Sequence, residues 1–203
     1  MASMKKSILS FVAIVILGCT TTNQVEFKSE KNEGQWEAKA QVRNLRTNTV
    51  QNLNLDVMAI RNQIMRIEIS GPLGIQVGSL LMKKEDLTCL IHTQKKAYTG
   101  TGDENSLENF LKVKIDPRWL YSVFFDVEIP GWACEGKPVV KCERNDGTSI
   151  AWTEREGEKK RVTIKGLGYQ MQVLVTSFQS KVEKPEKVFN LIIPDSYTKY
   201  KLN

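Results

Sequence analysis

Beyond Trp36 apolar and polar residues alternate along most of the chain, and a period of two is what a β-strand with one buried face requires. Trp36, Ala38, Ala40 and Val42 alternate with Glu37, Lys39, Gln41 and Arg43. Leu53, Leu55, Val57 and Ala59 repeat the pattern, and Met65, Ile67 and Ile69 alternate against Arg66 and Glu68. Further strands are predicted over 75–82, 87–91, 139–143, 149–154, 161–165, 169–179 and 189–193. In the longest of these Tyr169, Met171, Val173 and Val175 share a face. The connections Arg61-Asn62, Asn145-Asp146-Gly147 and Glu156-Gly157-Glu158 are short and rich in turn formers, so neighbouring strands are predicted to run antiparallel.

Two helical patterns interrupt the strands. Asn105 followed three residues later by Glu108 has the form of a capping box ahead of Leu107, Phe110 and Leu111. Asp116-Pro117 reads as a cap with proline at the first helical position. Trp119, Leu120, Val123 and Phe124 then lie on one stripe, which Pro130-Gly131 ends. A sheet apolar on one face with a helical insert to cover it is an α+β arrangement. The 203 residues, 41% of them hydrophobic, suit one globular domain with a real core.

The start of the chain reads differently. Lys5 and Lys6 precede an apolar run from residue 8 to 16, which falls short of the roughly 20 residues a bilayer demands. A basic flank, a short apolar run and then small residues mark an export signal. Ile16-Leu17-Gly18-Cys19 resembles the lipobox of bacterial lipoproteins, which implies cleavage before Cys19 and acylation of that cysteine. An ordinary signal with a chance cysteine is the competing reading, and either Met1 or Met4 can be the start. The predicted division is a signal at 1–18, a lipidated polar tether at 19–35 without apolar period, and a folded domain at 36–203. Thr20 follows the cysteine where well-studied Gram-negative sorting systems place Asp for inner-membrane retention. By that resemblance the chain is expected at the outer membrane, its domain facing the periplasm.

Chemistry is scarce. The formal charge of +6 is scattered among abundant charges of both signs, and no dense basic patch interleaves with aromatic residues, so nucleic acid is not an expected partner. The basic excess fits approach to anionic lipid head groups. One histidine, His92, excludes a multi-histidine metal site and leaves at most one imidazole base. Cys89 cannot meet it if 87–92 is extended, because residues three apart point to opposite faces. A distant Ser or Cys partner stays open, and the ordinary reading is a surface strand histidine. Gly71, Gly74 and Gly78 lack the strand-to-helix context of a phosphate-cradling loop, and Gly166-Leu167-Gly168 reads as a turn. No catalytic residue, cofactor or metal is expected. In an exported protein Cys134 and Cys142 favour a local disulfide, with other pairings of the three thiols open and Cys89 read as core.

Trp36 opening the first strand, the run Met65-Arg66-Ile67-Glu68-Ile69-Ser70-Gly71-Pro72-Leu73-Gly74, Tyr98 before a helical insert, and residues 117–132 beyond it resemble the LolB family of outer-membrane lipoprotein receptors. The soluble LolA relatives look similar in Phe189-Asn190-Leu191-Ile192-Ile193-Pro194. The resemblance covers about residues 36–194 and implies an incomplete antiparallel β-barrel with a helical lid over an apolar cavity for acyl chains. It implies a lipoprotein or lipid cargo received from a periplasmic LolA-like carrier and assisted into the outer membrane. Leu73 matches the family's protruding membrane-inserting leucine. The residues expected to line cavity and lid are Trp36, Leu55, Val57, Met65, Ile67, Ile69, Trp119, Leu120, Phe124, Trp132, Met171 and Val173. Two plainer readings stand beside these: a hairpin leucine packed on its own sheet, and apolar strand faces that fill a core. The alternative function is an assembly lipoprotein of the envelope that uses the half-barrel to dock another protein.

Overall fold

The structure, a computed structural model, describes residues 32–202. The predicted signal, Cys19 and most of the tether lie outside the described residues. Six strands open the fold: β1 (Glu33–Asn44), β2 (Thr49–Ile60), β3 (Ile64–Ser70), β4 (Gln76–Lys83), β5 (Asp86–Ile91) and β6 (Lys96–Thr101). Each pairs antiparallel with the next. Two short helices follow, α1 (Glu108–Leu111) and α2 (Trp119–Phe125). The chain returns to strands with β7 (Ala133–Glu135), β8 (Lys141–Glu143), β9 (Ser149–Glu156), β10 (Lys159–Gly166) and β11 (Tyr169–Gln179). It closes with α3 (Pro185–Val188) and β12 (Thr198–Lys201).

All strands belong to one twelve-stranded sheet in the order β12-β6-β5-β4-β3-β2-β1-β11-β10-β9-β8-β7. The pairing of β11 with β1 joins the two runs of hairpins, and the edge strands β12 and β7 do not meet. The result is a curved, unclosed sheet with few helices. Alternation makes it one-sided: the burial of β1 switches residue by residue, with Trp36, Ala38, Ala40 and Val42 inside and Lys39, Gln41 and Arg43 outside. The inner residues of β2, β3, β4, β10 and β11 continue that apolar face, and α1 and α2 supply its cover.

Several expectations need correction. The first strand starts at Glu33, because Gly34 pairs with Ala59 and carries the ladder three residues beyond the alternation. No strand forms over 189–193; Arg66 Nη1 takes the carbonyl of Val188 at 2.5 Å, α3 precedes the segment, and Ile192 is exposed. The pairing falls instead to β12, which runs parallel to β6. Both strands carry few apolar residues, which hides them from a pattern search. The α1 cap is not Asn105: Asp103 accepts the Asn105 N–H at 2.9 Å, and no side chain caps the helix. Nor does Asp116 cap α2: it accepts the Arg118 N–H at 2.9 Å in the turn ahead of the helix, whose N-cap is Arg118 with no side-chain cap bond. That helix stops at Phe125, where Asp126 turns left-handed at φ 56°, well before Pro130.

Candidate functional site

The residues expected to line a cavity are brought together, and they pack on one another. Trp36, Leu55, Val57, Met65, Ile67, Ile69, Met171 and Val173 come from the inner face of β1, β2, β3 and β11. Trp119, Leu120 and Phe124 come from α2, with Trp132 partly buried against them. Trp36 anchors the contact: its ring lies 5.7 Å from Phe124, 5.1 Å from Phe125 and 5.2 Å from Phe178. Trp119 meets Trp132 edge-on at 4.9 Å. Aromatic pairs at such separations add about 0.5–1.5 kcal/mol each beyond the area they bury.

Polar atoms pin the end of α2. Lys160, 4% exposed, donates its Nζ to the Phe124 carbonyl at 2.9 Å and to Asp126 Oδ2 at 2.8 Å. Arg155 reaches the other carboxylate oxygen of Asp126 at 3.4 Å. The last turn's free carbonyl and the charge beside it are therefore satisfied by one buried ammonium. Beside α2 an open hollow of about 800 Å³ is lined in part by Arg61, Arg118, Tyr121, Asp126 and Pro138. Inside this region the Tyr121 hydroxyl is buried with no hydrogen-bond partner among the described residues, and burial holds its pKa well above the ordinary value. A second hollow, about 410 Å³, lies on the outer face between Lys39, Gln41, Asn54 and Arg161. Neither hollow, nor a third at the turn of residues 60–63, is lined by the residues expected for the cavity.

Leu73 stands at the tip of the β3–β4 connection and is 89% exposed, the most exposed of the large apolar residues described. Its turn is fixed from below. Gly74 N–H bonds the Gly71 carbonyl at 2.9 Å, Gly71 N–H bonds the Ile75 carbonyl at 2.9 Å, and Asn54 Nδ2 also donates to Gly71 at 3.1 Å. Gly74 sits at φ +76°, a conformation that costs a side-chain-bearing residue. The leucine is presented to solvent by a built turn and does not pack on its own sheet.

Cys134 and Cys142 face each other across β7 and β8 and form a disulfide. Cys89 is free and 3% exposed, and burial pushes its thiol up to about 12, so it is an inert core residue. His92 lies in a 3-10 turn, His92–Gln94, and not on an open strand surface. Its Nε2 is 2.8 Å from Ser79 Oγ and its Nδ1 is 2.7 Å from Tyr197 Oη, while Ser79 Oγ donates to Glu68 Oε2 at 2.5 Å. The serine proton is thus committed to a carboxylate. The ring must donate from Nε2 and accept from tyrosine at Nδ1, the reverse of what a base activating that serine would do. Ser79 is 2% exposed under the C-terminal segment. Sequence alone missed this chain because its members stand far apart in sequence and only the β3–β4–β5 register joins them.

Among the described residues no group of three or more His, Cys, Asp or Glu is placed to hold a metal ion. No protein-family model and no curated protein matches the sequence. Solved structures are similar in fold. One is an uncharacterized conserved protein from Thermus thermophilus, at TM-score 0.48 and 7% identity over 85% of this chain and 91% of that one. Another is a LolA superfamily protein from Nitrosomonas europaea, at TM-score 0.47 and 10% identity over 82% and 93%. A third, from Vibrio parahaemolyticus, is provisionally described as an outer membrane lipoprotein-sorting protein domain, at TM-score 0.45 and 9% identity over 80% and 91%.

Proposed function

We propose that this chain is a lipid-anchored protein of the outer membrane's periplasmic side that binds the acyl chains of lipoproteins or lipids and delivers them to the membrane. The observation that carries the reading is the Leu73 tip: a leucine 89% exposed, held out by a turn whose hydrogen bonds do not depend on it. An acyl chain is to be held beneath α1 and α2, which act as a lid, with cargo arriving from a periplasmic LolA-like carrier. The role is non-catalytic, in keeping with the commitment of Ser79 and His92 to a structural bond.

The inner face is filled in this conformation, so cargo must replace side chains. Phe124, Phe125 and Trp119 each bury about 150–250 Å². At about 25 cal/mol per Å² the three together represent roughly 11–19 kcal/mol of apolar burial. A chain of about 16 carbons offers about 12 kcal/mol at 0.8 kcal/mol per methylene. The exchange is near balance, which is what a protein that must both accept and release cargo needs. The packed interior also favours a second reading, a docking module for another envelope protein with the core left undisturbed.

A lipopeptide bearing a diazirine on its acyl chain distinguishes the two. Under the favoured reading it crosslinks to Trp36, Val57 and Phe124, and an excess of unlabelled lipopeptide competes. Crosslinks confined to the outside of the domain would overturn acyl binding and leave the docking module. Leu73→Glu is expected to keep stability within about 0.5 kcal/mol of the parent while impairing delivery to vesicles. Normal delivery by that variant would remove the tip from the mechanism. Cys19→Ala is expected to release the domain from membranes, and persistent sedimentation with them would show another anchor.

A further inference from the structure

The two ends of the sheet differ in kind. At one end the turns of residues 61–63, 84–85 and 157–158 are built from Arg, Asn, Gln, Lys, Glu and Gly. At the other, three connections expose large apolar residues: Leu73 at 89% and Ile75 at 62%, Leu45 at 52% with Val50 at 43%, and Leu167 at 75%. The register puts all three at one end, because Asn44 pairs with both Thr49 and Tyr169, and β3 ends opposite Asn54 on its way toward Thr49. The Leu45 N–H bonds the Gly168 carbonyl at 2.8 Å, so the β1–β2 and β10–β11 turns form one unit carrying Leu45, Val50 and Leu167. Ordinary turns of these lengths are polar.

Cations flank that unit. Arg43 pairs in register with Val50, Lys165 with Gln170, and Arg46 lies against the β10–β11 turn, its Nε 2.9 Å from where a side chain on Gly168 would begin. None of the three has an ion-pair partner among the described residues. Two carboxylates at this end, Glu104 and Asp146, are both taken by Arg144. Exposed leucines ringed by unneutralised cations match a bilayer interface, where apolar side chains enter the acyl boundary and cations meet anionic head groups.

We propose that the β1–β2 and β10–β11 turns form a second membrane contact, with Leu45, Val50 and Leu167 entering the lipid and Arg43, Arg46 and Lys165 binding anionic head groups. This rests on the reading of Leu73 as a membrane-inserting tip and extends it. Two separated contacts would set the domain upright on one end, with the Arg61-Asn62 turn away from the lipid, where one leucine alone would leave it free to pivot.

The test uses the full lipidated chain in vesicles, with a polarity-sensitive dye on a cysteine introduced as Leu167→Cys, Leu73→Cys or Asn62→Cys. Vesicles contain phosphatidylglycerol with phosphatidylethanolamine, or phosphatidylcholine alone, with nitroxide lipid as quencher. The dyes at 167 and 73 are expected to shift to the blue and be quenched on anionic vesicles, while the dye at 62 stays in water. Replacing Arg43, Arg46 and Lys165 by Gln is expected to weaken contact at 167 about fivefold per cation removed. A dye at 167 that matches the one at 62 while the dye at 73 inserts would overturn the second contact and leave the tip. Insertion at 167 without insertion at 73 would do the reverse. Shielding at 167 that depends on protein concentration, on every vesicle, would show a second copy covering the rim and would also overturn the proposal.

Discussion

The sheet is covered on both faces, and the two covers are held by different forces. Inside, α2 lies on the strands through the rings of Trp36, Phe124, Phe125 and Trp119, with Lys160 and Asp126 pinning one end. Outside, residues 180–197 cross β3–β5 on polar bonds: Arg66 to the Val188 carbonyl, and Tyr197 to His92 to Ser79 to Glu68. Ring contacts are non-directional and interchangeable with other apolar matter, whereas each member of a hydrogen-bond chain needs its one partner. The inner cover therefore rests on contacts that other apolar matter could replace, and the outer cover on bonds between particular partners.

Truncating the inner cover should cost most. Phe124→Ala removes a side chain that is 0% exposed, and a loss of about 3–5 kcal/mol is expected in chemical denaturation. A loss under about 1 kcal/mol would mean that α2 is not part of the cooperative core, and the contrast between the covers would fail. Asp126→Asn removes the carboxylate charge that Lys160 and Arg155 both contact, and a loss of about 3 kcal/mol is expected from breaking such a buried pair. Partial rescue of that variant by Lys160→Met would show that the cost lies in the broken Lys160–Asp126 pair. Replacing Cys134 and Cys142 by serine should cost about 2–3 kcal/mol, the chain-entropy value for so short a loop, and should leave acyl crosslinking at Phe124 unchanged.

How far the pattern could be read from sequence follows the same division. Apolar alternation announced β1, β2, β3 and β11, because burial on one face leaves a period of two in the residues themselves. The family resemblance, and not the alternation, gathered Trp36, Met65, Phe124 and Met171 into one place. Alternation could not say whether they enclose space or fill it, since both demand the same residues. The polar side was illegible for a physical reason. Ser79 meets His92 only because β4 and β5 pair Ser79 with Leu90 and the chain then turns back, a consequence of register and not of local spacing. β12 was equally hidden, a strand of Thr, Lys, Tyr and Lys held at the edge by parallel pairing and the stacking of Tyr200 on Tyr98 at 5.1 Å.

The smallest expected effect is the most specific to the outer cover. His92 has its pKa lowered, first by burial, against the opposing pull of the Glu68 carboxylate and with some help from Arg66. Below the ordinary value of 6.5 the unfolded chain takes up a proton that the folded ring resists, so stability falls as pH drops from that value toward the folded one. Protonation would also give Nδ1 a hydrogen facing Tyr197, ending its role as acceptor. Once the intrinsic pH dependence of amide exchange is divided out, the protection of residues 180–202 is therefore expected to fall from pH 7 to pH 5, while that of α2 changes little. Tyr197→Phe should cost about 1 kcal/mol at pH 7 and flatten this pH response. Asp56, whose pKa is raised first by burial and then by Glu37 and Glu68, acts with the opposite sign at lower pH. His92→Gln serves as the control: if its C-terminal segment still loosens with acid as the parent does, the outer cover is not fastened through the imidazole.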